Sequence, residues 1–116
     1  MDERELRRRE TERIKSNFPE FDFAGIEVGP GWFPLVEEFF TYARSNLTAG
    51  EREAFGRVSF KEKYGQLRVE GAYPASLEDK VEEIEDRSEE TCEVCGMPGR
   101  PRDSGWIRTL CDKHAA

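Results

Sequence analysis

Cys92-Glu93-Val94-Cys95-Gly96 and Cys111-Asp112-Lys113-His114 stand 15 residues apart near the end of this chain, a CxxC followed by a CxxH. All three cysteines and the only histidine lie in this stretch. Two cysteines two residues apart reach one ion when the chain between them forms a tight knuckle, and Gly96 suits that turn. Pro98, Gly99 and Pro101 make the following loop, and Gly105-Trp106-Ile107-Arg108-Thr109-Leu110 supplies strand. Cys111 and His114 are one helical turn apart, so a short helix presents both to the same ion. Knuckle, hairpin and helix stub predict a treble-clef-like or zinc-ribbon-like module over residues 91–116, with Zn²⁺ held by Cys92, Cys95, Cys111 and His114. Three free thiols or a disulfide would be the alternative. An odd cysteine count leaves one thiol over in a disulfide scheme, whereas a Cys₃His site uses all three. Four protein ligands close the tetrahedron, which predicts structural rather than catalytic zinc.

Working outward, the composition bounds the rest. At 116 residues there is room for one small domain and a metal-held appendix. Only 36% of residues are hydrophobic and 37% are charged, but eight Phe, two Trp and three Tyr bring enough apolar area for a core. A chain this small gains from a metal staple. The net charge of −7 argues against general nucleic-acid binding, which relies on Lys and Arg neutralising phosphates. No apolar run approaches the ~20 residues of a membrane span. The charged start, Met1 to Arg9, has no apolar core of a secretory signal, so a reducing cytoplasm is the expected compartment.

Residues 2–17 alternate Glu and Arg and predict a helix laced by Glu3–Arg7, Glu5–Arg9 and Glu10–Arg13 pairs. Few of its residues can be buried, chiefly Leu6, Ile14 and then Phe18. A solvated helix is favoured over one that offers Arg7, Arg8 and Arg9 to an anion. A charged helix over 1–18 is thus set before an α+β body over 19–90. In that body a short strand is expected near 25–29, followed by a Gly29-Pro30-Gly31 turn. Pro34 suits a helix's first turn, and Leu35, Val36, Phe39, Phe40, Ala43 and Leu47 recur at helical spacing, so 33–47 is the core helix. Residues 57–62 and 67–73 alternate as strands around Lys63-Tyr64-Gly65-Gln66 and form a β-hairpin, with Val58, Phe60, Leu67 and Val69 on its buried face. Ser76-Leu77-Glu78-Asp79 reads as a capping box ahead of a helix that buries Leu77, Val81 and Ile84. Residues 77–93 hold nine acids against Lys80 and Arg87. The fold class is α+β: a small antiparallel hairpin or sheet packed on a core helix, ending in the metal module.

In combination, Gly31-Trp32-Phe33-Pro34-Leu35, Lys61-Glu62-Lys63-Tyr64-Gly65-Gln66-Leu67-Arg68, the Cys92–Gly96 knuckle and Trp106-Ile107-Arg108-Thr109-Leu110-Cys111-Asp112-Lys113-His114 carry a resemblance. Residues 29–116 resemble a family of small zinc-binding proteins of bacteriophages and bacterial genomes that has no established activity. The resemblance implies a zinc-binding accessory protein, phage-encoded and working in the host-cell cytoplasm. Accessory phage proteins of this size interfere with host machinery or capture a host signalling molecule.

Function is most readily sought on the 57–68 hairpin. Arg57, Lys61, Lys63 and Arg68 against Glu62 give a local +3 in a chain of −7. With Tyr64 and the Gly65 backbone at the tip, and Trp32 as a pocket lid, these residues can recognise a phosphate-bearing small ligand such as a nucleotide by charge, stacking and N–H donors. The alternatives are a solvated face whose cations pair with the acidic helix, and a buried Trp32. Arg100, Arg102, Arg108 and Lys113 serve equally as compensation for a metal site of charge −1 or as phosphate contacts. Two functions follow: a non-catalytic binding protein for an anionic small molecule, or a protein-interaction module engaging a host protein. An enzyme is the weakest option, because the sole histidine and every cysteine are metal ligands and no nucleophile–base pair stands out.

Overall fold

A computed structural model describes all 116 residues. Helix α1 spans Glu3–Asn17 and is capped by Asp2, whose carboxylate accepts from the Glu5 amide at 2.9 Å. The three predicted Glu–Arg pairs all form along it. Its buried stripe is thin, Ile14 followed by Phe18, yet both belong to the same hydrophobic cluster as the rest of the chain. Strand β1 (Phe23–Glu27) runs beside it. The Thr11 hydroxyl accepts from the Ile26 amide at 3.3 Å, and Arg7 Nε donates to the Val28 carbonyl at 3.0 Å. Side chains of α1 therefore satisfy the outer edge of β1, which would otherwise present unpaired backbone groups.

Pro30–Trp32 forms one 3₁₀ turn and leads into α2 (Phe33–Asn46), with Pro34 in the first turn as expected. Leu35, Val36, Phe39, Phe40 and Ala43 are buried on one stripe. The short α3 (Ala49–Glu53) follows, held by a reciprocal capping box between Thr48 and Glu51. Strands β2 (Val58–Lys63) and β3 (Gln66–Gly71) then form the predicted hairpin. β1 pairs with β2 in parallel, Ile26 opposite Phe60 and Glu27 opposite Lys61. The sheet order is β1-β2-β3, and α2 with α3 makes the crossover that a parallel pair requires. On the inner face Phe23, Phe39, Phe40 and Phe60 meet in edge-to-face contacts with centroids 5.2–5.6 Å apart. Such pairs contribute about 0.5–1.5 kcal/mol each beyond area burial.

The expected Ser76 capping box is absent. Pro74 opens a 3₁₀ turn over Ala75–Leu77, so α4 (Glu78–Ser88) starts behind Leu77 with no side-chain cap. Ser76 lies inside that turn, and its hydroxyl bonds the Glu51 carboxylate instead. Leu77, at the end of the 3₁₀ turn, and Val81 and Ile84 of α4 are buried as predicted, and α4 covers the other sheet edge. Ser88 Oγ accepts from the Leu67 amide at 2.9 Å and Glu85 Oε2 from the Val69 amide at 3.0 Å. Both edges of the three-stranded sheet are thus closed by helix side chains. No helix is long and apolar enough to cross a membrane.

Candidate metal centre

After α4 the chain turns through Thr91–Gly96, where Gly96 takes φ +81 and donates its amide to the Cys92 carbonyl at 2.8 Å. Strands β4 (Arg100–Asp103) and β5 (Ile107–Leu110) pair antiparallel, and α5 (Asp112–Ala115) follows with Cys111 at its N-cap. Knuckle, hairpin and helix stub give the treble-clef-like order expected from the sequence. The knuckle contributes Cys92 and Cys95; the mouth and first turn of α5 contribute Cys111 and His114.

The four side chains form a Cys₃His cluster whose ligand atoms all lie within 4.8 Å of one another. For Zn–S of about 2.3 Å and Zn–N of about 2.0–2.1 Å, a tetrahedron puts sulfur pairs about 3.8 Å apart and sulfur–nitrogen pairs about 3.6 Å apart. Cys95 Sγ and Cys111 Sγ are 3.8 Å apart. Nδ1 of His114 is 3.7 Å from Cys92 Sγ and 3.2 Å from Cys111 Sγ. Four ligand atoms this close could hold one metal ion between them. Burial raises the Cys92 thiol, but the backbone amides of Cys111, Cys95 and Val94 overcome it and bring the thiol down to about 6. The thiolate is the metal-binding form, so these amides favour ligation. For Cys95 the Met97 amide acts downward, while desolvation and the Cys92 and Cys111 thiols raise it overall.

The module is joined to the body at three points. The Gly31 amide donates to the Glu93 carbonyl at 2.8 Å, inside the knuckle. Trp32 Nε1 donates to the Thr91 carbonyl at 2.8 Å. Thr109 Oγ1 donates to the Gly65 carbonyl at 2.6 Å, tying β5 to the β2–β3 turn. The knuckle sits so close that a Cβ on Gly31 would lie 2.0 Å from the Cys92 carbonyl oxygen. Between the two knuckle cysteines, Glu93 is buried. Burial raises its carboxyl, with Arg108 opposing at 3.1 Å.

The predicted functional residues do not gather in one place. Trp32 has no exposed surface and takes the core role weighed for it. Arg57 pairs with Asp22 at 3.3 Å, Lys61 with Glu27 at 3.7 Å and Lys63 with Glu70 at 3.0 Å, while Arg68 Nε donates to Gln66 Oε1. Three of the four hairpin cations therefore meet carboxylates of β3, β1 and the loop before β1, Arg68 meets an amide oxygen, and none pairs with the acidic helix. That helix instead pairs with α2, through Lys80 and Arg87 on Glu38. Arg102 pairs with Asp112 at 2.7 Å and Arg108 with Glu93, so both compensate carboxylates next to the metal ligands.

Three open clefts surround this region. The first, about 750 Å³, lies between α1 and the outer sheet face; Arg4, Arg7, Arg8, Lys15 and Lys61 line it against Glu12 and Glu27, a net +3. The second, about 540 Å³, shares Arg7, Glu27 and Lys61 with it and reaches Trp106. The third, about 550 Å³, shares Glu62 and Trp106 with the second and adds Lys63 and Tyr64. Tyr64 and Trp106 are 77% and 70% exposed, the most exposed aromatic rings of the chain. Sequence reasoning used Trp106 as strand and as part of a motif, gave it no binding role, and passed over Arg4 and Lys15. The one available signal was a tryptophan beside Ser104-Gly105 at a hairpin turn, where no core can take it. No family model, curated protein or solved structure matches the chain.

Proposed function

We propose that this is a zinc-stabilised, non-catalytic protein-interaction module, with Zn²⁺ held structurally by Cys92, Cys95, Cys111 and His114. The observation that carries the interaction reading is the run of three connected clefts. They share lining residues from α1 across the sheet to the metal module, they are open, and two, one and three of their lining residues are hydrophobic. Small-molecule sites are enclosed and mostly apolar, whereas this surface is long and open and carries exposed aromatic rings and arginines, residue types enriched at protein interfaces. In the phage setting implied by the motif resemblance, the partner is a host protein. Photo-crosslinking tests it: a benzoylphenylalanine at Ser59, on the first cleft, should trap a bacterial protein that the same group at Glu53 on α3 does not. Equal trapping at both sites, or none at either, defeats the interaction reading. Metal analysis should return one zinc per chain; a metal-free protein purified without chelator defeats the zinc assignment.

A second reading, capture of a phosphate-bearing small molecule such as a nucleotide, is supported by the +3 cleft beside α1. Neither Arg4 nor Lys15 in it has a carboxylate within 4.0 Å. A nucleotide that raises the melting temperature, with the rise lost in Lys61→Ala or Lys15→Ala, would favour it. No shift across a broad nucleotide panel removes it.

A further inference from the structure

Tyr64 occupies a position where stability favours another residue. It and Gly65 form the two-residue turn between β2 and β3, with φ of +54 and +80. That is the type I′ geometry, which selects Asn, Asp or Gly at its first position. A bulky residue held in the left-handed region costs about 1–2 kcal/mol, and Tyr64 recovers little of it by packing, since its side chain is mostly in solvent. Strain at an exposed aromatic side chain points toward recognition rather than folding. Trp106 is the second exposed ring, just after Gly105 with φ +91, and it lines the same cleft of about 550 Å³.

The charges of this cleft are as telling as its rings. The Gly65 amide donates to Glu62 Oε2 at 2.7 Å and the Gly105 amide to Asp103 Oδ1 at 2.9 Å. Each carboxylate is thereby oriented by the backbone of its own turn, and the second oxygen of each has no protein partner. The one cation of the lining, Lys63, is engaged by Glu70 on β3. The buried Thr109–Gly65 hydrogen bond ties the β2–β3 turn to strand β5, which begins just after Trp106.

Two exposed aromatic rings and two carboxylates, each with one unpartnered oxygen, line this one open cleft, and these are the groups that recognise a planar cation. We propose that the Tyr64–Trp106 cleft is the anchor of the interaction surface and takes an arginine side chain from a basic segment of the partner. The guanidinium stacks on the rings while its edge donates to Glu62 and Asp103. The net charge of −7 adds long-range attraction for such a segment and repels an acidic one. This inference rests on the protein-interaction reading and narrows it to one chemistry.

The test is a fluorescence titration of the zinc-loaded full chain, where exposed Trp106 reports and buried Trp32 stays constant. The probes are a glycine–arginine peptide, the same peptide with neutral citrulline for arginine, and the same peptide with glutamate. The arginine peptide should saturate the signal, with citrulline and glutamate peptides at least tenfold weaker. Tyr64→Asn should melt at a higher temperature, because Asn suits the turn, and should lose binding at least tenfold; Trp106→Ala, which removes the fluorescent reporter and is therefore titrated by calorimetry, should lose it as well. Equal affinity for the citrulline peptide, tighter binding of the glutamate peptide, unchanged binding by Tyr64→Asn, or no saturation with any peptide overturns the proposal. If the Ser59 crosslink forms while the arginine peptide fails to bind the wild-type chain, the interaction surface stands and the arginine anchor falls. If that crosslink itself is absent, the broader reading has failed.

Discussion

Replacing Gly31 with alanine tests whether the metal knuckle is built onto the body or merely follows it. Gly31 does not need a left-handed backbone, so alanine brings no conformational strain. What it brings is a methyl group 2.0 Å from the Cys92 carbonyl oxygen, 2.6 Å from the Gly96 nitrogen and 2.8 Å from the Glu93 carbonyl carbon. Cβ contacts below 3.0 Å essentially never occur, so the two backbones must part by about 1 Å. All three obstacles are backbone atoms of a knuckle pinned by Cys92 and Cys95, so no side chain can swing aside. A shift of that size breaks the Gly31–Glu93 bond and strains the Trp32–Thr91 bond, both 2.8 Å long. Each is worth about 1 kcal/mol, and leaving the buried indole N–H without a partner costs about 1–3 kcal/mol more. The expected loss is about 3–5 kcal/mol, or roughly 12–20 °C in melting temperature at about 4 °C per kcal/mol. Chemical denaturation of the zinc-loaded protein measures it. Gly50→Ala serves as control, because nothing lies within 4 Å of the methyl it adds. By linkage, Gly31→Ala should also release zinc to a chelator more readily. If Gly31→Ala unfolds within about 0.5 kcal/mol of the wild type, the knuckle is not wedged against Gly31 and the account of the joint is wrong.

Cys95→Ser, or chelation, should loosen residues 91–116 and expose Trp32 on one side while α2 stays folded; near-ultraviolet circular dichroism should fall with most far-ultraviolet signal retained. Loss of the helical signal as well would mean that the body depends on the metal. Ser88→Ala removes the cap on the Leu67 amide and should cost about 1–3 kcal/mol, with faster hydrogen exchange at Leu67; unchanged exchange there refutes the edge-closing role. Burial raises the Glu38 carboxyl, but Lys80 and Arg87 outweigh it and hold it below its ordinary value of 4.5. Its pairing therefore stabilises fully above about pH 4.5 and is lost as the pH falls through the depressed folded value. Glu38→Gln should cost about 0.5–1 kcal/mol at pH 7, with the difference from wild type shrinking on acidification; a difference independent of pH contradicts the pairing.

Much of the architecture was legible because its signals are local. Leu35 to Leu47 at helical spacing, the alternation around Tyr64-Gly65, and the Glu–Arg ladder of α1 each depend on neighbours a few residues away. The Ser76 capping box failed for an equally local reason, since Pro74 started a 3₁₀ turn that displaced the helix mouth. The parallel β1–β2 pairing left no local trace, because a parallel strand meets its partner through a crossover and not through a turn. Helix α1 looked detachable from its composition, yet Thr11 and Arg7 bind the backbone of β1. Those bonds could not be read from side-chain type alone.

The sequence by itself determined the metal ligands. Their residue types and spacing are set by coordination chemistry, and the ligand atoms of Cys92, Cys95, Cys111 and His114 meet within 4.8 Å of one another, a cluster that could hold a metal ion. It also determined the apolar stripes, since helical and strand periods are properties of the backbone. Only the tertiary structure decided where the exposed chemistry lies. It buried Trp32, scattered the cations of the 57–68 hairpin onto separate partners, and brought Tyr64 and Trp106 to one cleft from positions 42 residues apart. The physical reason is the joint between body and metal module: Gly31 admits the knuckle, Thr109 holds the Gly65 turn, and these contacts bring the two hairpin turns together.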